Sequence, residues 1–241
     1  MNRSGTIRAL IIWILITPPV LQAQEVGLTA SIGMASVRMD DMKYLLESIM
    51  GTYPVEAKVT SSFPPHTSFT LGAQKRLYPQ VRIGTGYGFT TSGTKADYSD
   101  YSGNLSTQIV AVSHRMGVFA HYAPFAGEHL ELSIYGRVDL NLTRMEVSSS
   151  ISAAGYYNGL SNKYHSVTPQ ASAGAELLYN FGKYSLGIEG GYLVDKPGKL
   201  KGKDGGQELK DPEDSRRVLT SDWTGWRAGI KAILWLDFSK P

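Results

Sequence analysis

"ELSIYGRVDLNL", residues 131–142, is the stretch on which the fold turns. Glu131, Ser133, Tyr135, Arg137, Asp139 and Asn141 take every second position, and Leu132, Ile134, Gly136, Val138, Leu140 and Leu142 stand between them. Side chains of an extended strand point alternately to opposite faces, so the segment predicts a strand with one polar, charged face and one apolar face. In a soluble sheet the polar face meets water. In a closed barrel that crosses a bilayer, the apolar face meets lipid and the polar face lines the lumen. The rest of the chain has to decide between the two.

Residues 26–35, 68–76, 81–90, 115–122, 167–179, 184–193 and 226–238 alternate in the same way, which makes eight segments. Each is near the ~9–11 residues that a tilted strand needs to cross a bilayer. Short links join some of them: "LYPQ" (77–80), "FAGE" (125–128) and "NFGK" (180–183). The other links, about 37–64, 91–104, 144–165 and 195–222, read as long loops. Short turns at one end and long loops at the other are the habit of outer-membrane barrels with both termini in the periplasm. Tyr122, Tyr179, Tyr184 and Phe238 fall by the short turns on the apolar face; Phe69, Tyr87, Phe89, Tyr192 and Trp226 fall by the long loops. Two aromatic belts around a band of aliphatic residues place the apolar face in lipid. The fold class that follows is all-β: an eight-stranded antiparallel transmembrane β-barrel, an up-and-down meander.

The N-terminus agrees with export. Arg3 and Arg8 precede an apolar run from Ala9 to Ile16, then Pro18-Pro19 and the small-residue pattern Leu21-Gln22-Ala23. That layout predicts a signal peptide over 1–23 and a barrel domain over 24–241. Removing Arg3 and Arg8, and no acid, lowers the formal charge from +3 to +1. A nearly neutral chain without a basic cluster predicts no nucleic-acid role. The absence of cysteine excludes a lipid-anchored cysteine, a disulfide framework and a thiolate site.

The lumen-facing set carries most of the ionised groups. An eight-stranded barrel is just wide enough for side chains to fill, and charges in so tight a space need partners. Arg82, Arg115, Arg137, Arg227 and Lys231 are set against Glu131, Asp139, Glu176 and Glu189, a near balance that predicts a structural salt-bridge network rather than a charge-selective pore. Inward glycines such as Gly84, Gly88 and Gly174 leave room for the long side chains. Counted from Tyr184 and Phe238, Glu189 and Lys231 differ in height by about 7 Å before strand stagger. They are therefore expected to pair, with Arg227, Arg137 and Glu176 extending the network.

With these features the chain resembles the small outer-membrane β-barrel proteins related to the OmpA transmembrane domain and the porin-like barrels of Gram-negative bacteria. The resemblance covers residues 25–238 and rests on the alternation, the links and the belts. It implies an outer-membrane location and insertion by the barrel-assembly machinery. It also implies contact with outer-membrane lipid and lipopolysaccharide, no cofactor, and a monomer. Two departures stand out. Phe238 is followed by Ser239-Lys240-Pro241 rather than ending the chain, and no cell-wall-binding domain follows the barrel.

Other motifs are weighed against simpler readings. "GTGYGF" (84–89) lacks the following helix of a phosphate loop and reads as glycines in a strand. "HTS" (66–68) is the H-x-S arrangement of outer-membrane lipid A deacylases, but its face turns inward and no carboxylate partner is evident, so no catalytic residue is assigned. A lipid-modifying enzyme and a small porin remain the alternatives to a structural or surface-interaction role. "MDDMKYLLESIMG" (39–51) predicts a short helix capped by Asp40 or Asp41 and stopped by Gly51, with a stripe of Met42, Leu45, Leu46 and Ile49 that either packs over the barrel mouth or meets a partner or lipid headgroup, the first being favoured. "DKPGKLKGKDGGQELKDPEDSRR" (195–217) reads as a solvated loop, with Lys196, Lys199, Lys201 and Lys203 as candidates for lipopolysaccharide phosphates. The histidines show no metal-ligand spacing, so no metal is expected.

Overall fold

The computed structural model describes residues 25–51, 58–101, 103–153, 156–202 and 207–237. In chain order the first elements are β1 (Glu25–Ala35), helix α1 (Asp40–Gly51), β2 (Lys58–Ser62) and β3 (His66–Tyr78). Long strands follow: β4 (Val81–Asp100), β5 (Gly103–Ala126), β6 (Leu130–Ala153) and β7 (Tyr156–Phe181). Then come β8 (Tyr184–Asp195), the two-residue strands β9 (Gly198–Lys199), β10 (Lys201–Gly202) and β11 (Thr220–Ser221), and β12 (Gly225–Asp237).

Strands β1, β3, β4, β5, β6, β7, β8 and β12 form a ring in that order, each antiparallel to its neighbour, and β12 pairs back onto β1. Closure leaves the ring without an edge, so its backbone polar groups are satisfied inside hydrocarbon. The apolar face of the alternation points out: Ile32, Val118, Val138, Leu140, Ile188 and Ile230 are each more than half exposed. Tyr122, Tyr179 and Tyr184 ring the short-turn end, and Phe69, Tyr192 and Trp226 the other. Tyr87 and Phe89 are half-buried because both pack against His114, Tyr87 through a 2.6 Å hydrogen bond to Nδ1. Phe238 and the leader with its cut after Ala23 lie outside the described residues. Among the described residues no helix is long and apolar enough to span a membrane. The strands do the crossing, and the fold is a transmembrane β-barrel.

Two of the expected long loops are not loops. Residues 91–100 and 103–104 belong to β4 and β5, paired up to Asp100 and Gly103, and residues 144–153 and 156–165 belong to β6 and β7, paired up to Ala153 and Tyr156. Here the alternation continues with its sense reversed: Leu105, Ile109, Ala111 and Met145 point inward, and Gln108, Arg144 and Ser148 point outward. The apolar-out alternation ends where this begins. Of the remaining links, 37–64 holds α1 and β2, and 195–222 holds β9 to β11. At the other end the link between β7 and β8 is Gly182-Lys183, with Gly182 at φ 65°, a left-handed conformation that glycine adopts without strain.

The apolar core sits at the long-loop end. Met42, Leu45, Leu46 and Met50 of α1 pack into the mouth against Ile109, Met145, Leu193, Leu200, Leu219 and Trp223, and Ile49 lies at its margin. Helix α1 is thus the lid expected from its stripe. Its start differs from expectation. The Met39 carbonyl accepts the amides of Met42 and Lys43, while Asp40 pairs with Lys43 at 3.4 Å and Asp41 turns away to the 207–221 segment. Tertiary partners for Asp41 compete with the local capping bond and win.

Candidate functional site

The lumen is stacked in layers that the strands position by register. At the short-turn end Leu178, Ile233 and Trp235 form an apolar floor. Trp235 donates its indole N–H to Ser185 (3.0 Å), and the Arg76 guanidinium lies 4.6 Å above its ring. Inward positions 233 and 235 break the polar habit of the lumen face.

Above the floor the carboxylate of Glu176 is the hub. Lys231 Nζ donates to its Oε2 at 2.6 Å, the Ser133 hydroxyl donates to Oε1 at 2.8 Å, and His121 Nδ1 stands 3.1 Å from Oε1. Arg82 hydrogen-bonds Glu176 and forms an ion pair with Glu131 at 2.7 Å. Arg76 links Glu131 to Glu25 at the rim. Lys231 also lies 3.5 Å from Glu189, the pairing that strand heights suggest, but Glu176 is its closer partner. Sequence reasoning put Glu176 at the periphery; the register Glu176↔Glu189 across β7 and β8 brings both carboxylates to one lysine.

The middle layer departs from the balanced pairing expected. Arg137 Nε donates to both oxygens of Asp139, at 2.8 and 2.7 Å, and its Nη2 to the Gly86 carbonyl. Arg115 and Arg227 are incompletely satisfied: Nε of Arg115 and both Nη atoms of Arg227 are buried with no hydrogen-bond partner. The acid beside both, Asp139, is bonded directly to Arg137, and the register gathers the glutamates one layer down. Arg115, Arg137, Arg227, Glu189, Lys231 and Tyr135 line a cavity of about 70 Å³. Gly88 makes room for Arg115, since a Cβ there would stand 2.7 Å from its Nη2.

A polar collar follows. Asp195 accepts from the Thr168 hydroxyl (2.8 Å) and the Trp223 amide (3.0 Å), and the Trp223 indole donates to Thr143 at 2.8 Å. Trp223, fully buried, hangs the 207–224 segment in the mouth. The lid is latched to that segment: Thr220 donates its amide and hydroxyl to Asp41 (2.9 and 2.7 Å). Arg217 bridges Asp41 and Asp211, and the Tyr44 hydroxyl donates to Asp211 at 3.2 Å. Burial, then Glu213 and Asp211, push the Tyr44 hydroxyl up to about 12. Burial acts upward on the Asp211 carboxyl too, but the amides of Glu213 and Asp214, with Tyr44 and Arg217, outweigh it and hold the group below the usual carboxylate range.

The H-x-S pair does not assemble. His66 Nε2 accepts the Gly93 amide (3.3 Å), and Ser68 accepts the Thr90 hydroxyl (3.1 Å). Among the described residues neither bonds the other or a carboxylate. Lys196, Lys199 and Lys201 are exposed on the outer segment; Lys203 lies outside the described residues. His121, Ser133, Trp223 and Trp235 were missed as lumen residues of consequence. The inward phase of His121 and Ser133 was legible; the insertion of Trp223 was not.

No family model matches the sequence, and no curated protein does. Among solved structures, the chain is similar to a major outer membrane protein from Thermus thermophilus, at 13% identity over 89% of this chain and 100% of that one, with a TM-score of 0.43. It is similar to Neisserial surface protein A at 12% identity, covering 89% and 99%, with a TM-score of 0.36. It is also similar to Ail, the attachment invasion locus protein of Yersinia pestis, at 11% identity, covering 89% and 99%, with a TM-score of 0.35.

Proposed function

We propose that the protein is an integral outer-membrane barrel with a sealed lumen, whose role is structural or surface-interacting rather than transport or catalysis. The observation that carries this reading is the double closure of the barrel. The apolar floor and the Glu176 network fill the short-turn end, and Trp223 with α1 fills the mouth. A pore needs a continuous water path, and the packing at both levels supports a barrel without one. The working surface is then the folded cap: tall β4–β5 and β6–β7 hairpins with Tyr101, Tyr156, Tyr157 and Leu160 exposed near their tips, and the lysine-bearing segment beside them. Lipid surrounds the apolar belt, and lipopolysaccharide phosphates meet Lys196, Lys199 and Lys201. Both termini are periplasmic, the leader 1–23 is removed, the barrel-assembly machinery inserts the chain, and it works as a monomer without cofactor.

Planar-bilayer recordings of the purified full chain test the sealed lumen. No stable conductance is expected, and a steady channel would replace this reading with the small porin. Orientation is tested separately in a chain that has no cysteine of its own. Asp97→Cys should react with an impermeant maleimide on intact cells and Pro79→Cys should not; the reverse pattern inverts the topology.

A further inference from the structure

Among the described residues, Arg115 and Arg227 are the lumen guanidinium groups for which no hydrogen bond or ion pair is found. Arg115 is 3% exposed, its Nε has no partner, and the same holds for Nη1 and Nη2 of Arg227. A buried lysine can relieve its burial by losing a proton, but a guanidinium stays charged in proteins. The cost of burying it persists until a counter-charge arrives. The protein's own acids are engaged: Asp139 with Arg137, Glu176 with Arg82 and Lys231, and Glu189 with Lys231. Around the cavity stand four cations, Arg115, Arg137, Arg227 and Lys231, and the carboxylates that face them are Asp139, Glu189 and Glu176, the last shared with Arg82. That leaves an excess of one positive charge in this layer.

The cavity suits a small anion. Its volume of about 70 Å³ is several times what one water requires. Guanidinium groups offer forked N–H donors that match the oxygens of phosphate and sulfate better than they match a spherical halide. The floor below and Trp223 above exclude a lipid headgroup, so the ligand is a free ion. We propose that this cavity binds one small inorganic oxoanion of the phosphate or sulfate class, held by Arg115 and Arg227.

The test uses the full chain refolded into detergent micelles with radiolabelled inorganic phosphate, followed by equilibrium dialysis. One phosphate per chain, saturable and displaced by sulfate, is expected. Arg227→Met and Arg115→Met should each weaken binding by about 10- to 100-fold, the range that charge-assisted hydrogen bonds give. Lys183→Ala, in the exposed turn between β7 and β8, should leave it unchanged. Absence of saturable binding overturns the proposal, as does binding that survives Arg227→Met and is lost in Lys199→Ala, which would place the phosphate on the outer segment. Urea unfolding provides a second readout should Arg115→Met fail to fold. If the site holds an anion, phosphate raises the midpoint of the unmodified chain more than that of Arg227→Met. If Arg227→Met is instead the more stable chain to the same degree with and without phosphate, the arginine is only an unpaired charge and the site is lost.

Discussion

Strands β5 and β6 each run through two surroundings, and their two halves are built in opposite senses. Toward the short turns, Val118 and Val138 face out while Arg115, Glu131, Ser133 and Asp139 are buried inside. Beyond the aromatic ring at the other end, Leu105, Ile109 and Met145 are buried inside while Gln108, Arg144 and Ser148 face out. The backbone ladder passes through the change without a break between Asn104↔Ser152 and Tyr122↔Ile134. What changes is the solvent outside. Lipid takes up the apolar residues of the lower half and leaves the polar ones to pair in the lumen. Water outside the upper half returns the strand to the ordinary arrangement, with an apolar core and α1 as its lid.

The largest expected effect concerns the lower half. Glu176→Gln strips Arg82 and Lys231 of their shared carboxylate and should lower stability by about 3–5 kcal/mol in urea unfolding. A double-mutant cycle with Lys231→Met should show coupling between the two sites. Additive effects would mean that the lumen is wet and that its charges are not held by one another. Slightly smaller is the matching change above, where Leu46→Ala opens a cavity under the lid and should cost about 2–5 kcal/mol. Here the loss should appear as faster hydrogen exchange and proteolysis in α1, with the heat-modifiable gel mobility of the barrel unchanged. If the whole barrel loosens equally, the two halves are one cooperative unit.

Moving one substitution across the boundary tests the comparison most directly. Val138→Arg puts a charge on the lipid-facing wall and should cost about 2–4 kcal/mol if it lies near the bilayer midplane. Gln108→Arg, on the outward face of the neighbouring strand above the ring, should stay within about 0.5 kcal/mol. Equal costs at the two sites would remove the boundary. The smallest effect is that of pH on the latch. The folded Asp211 carboxyl is held below its ordinary value, burial acting upward but outweighed by the Glu213 and Asp214 amides, Tyr44 and Arg217. Its contribution is therefore present above the unfolded pKa and fades as pH falls through the folded one. Proteolysis of α1 followed against pH should accelerate only in acid, below the usual carboxylate range. Loosening that begins near neutrality would assign the latch to another group.

The barrel was legible because alternation is a local property: Glu131 to Leu142 carry both faces of their strand in twelve consecutive residues. The stripe of α1 was legible for the same reason at helical spacing. The upper hairpins were hidden because the rule for reading them inverts at the water boundary, and nothing in a single residue marks that point. Within the lumen, the inward phase of Arg82, Arg115, Arg137, Arg227, Lys231 and the four acids set against them could be read, but the pairing could not, and Asp195 reads in the sequence as part of a solvated loop. Lys231 stands between Glu176 and Glu189 only because β7 and β8 set those two residues level.

The sequence by itself determined that eight segments would be strands, which face of each would be apolar, and that charges would be turned into a narrow lumen. These follow from period and length, which depend on near neighbours along the chain. Only the tertiary structure decided that Glu176 is the hub, that Arg115 and Arg227 are left facing a cavity, and that Trp223 inserts in the mouth beneath α1. Those outcomes depend on the relative register of strands far apart in the chain. A two-residue slip in register preserves every face of the alternation and changes every ion pair.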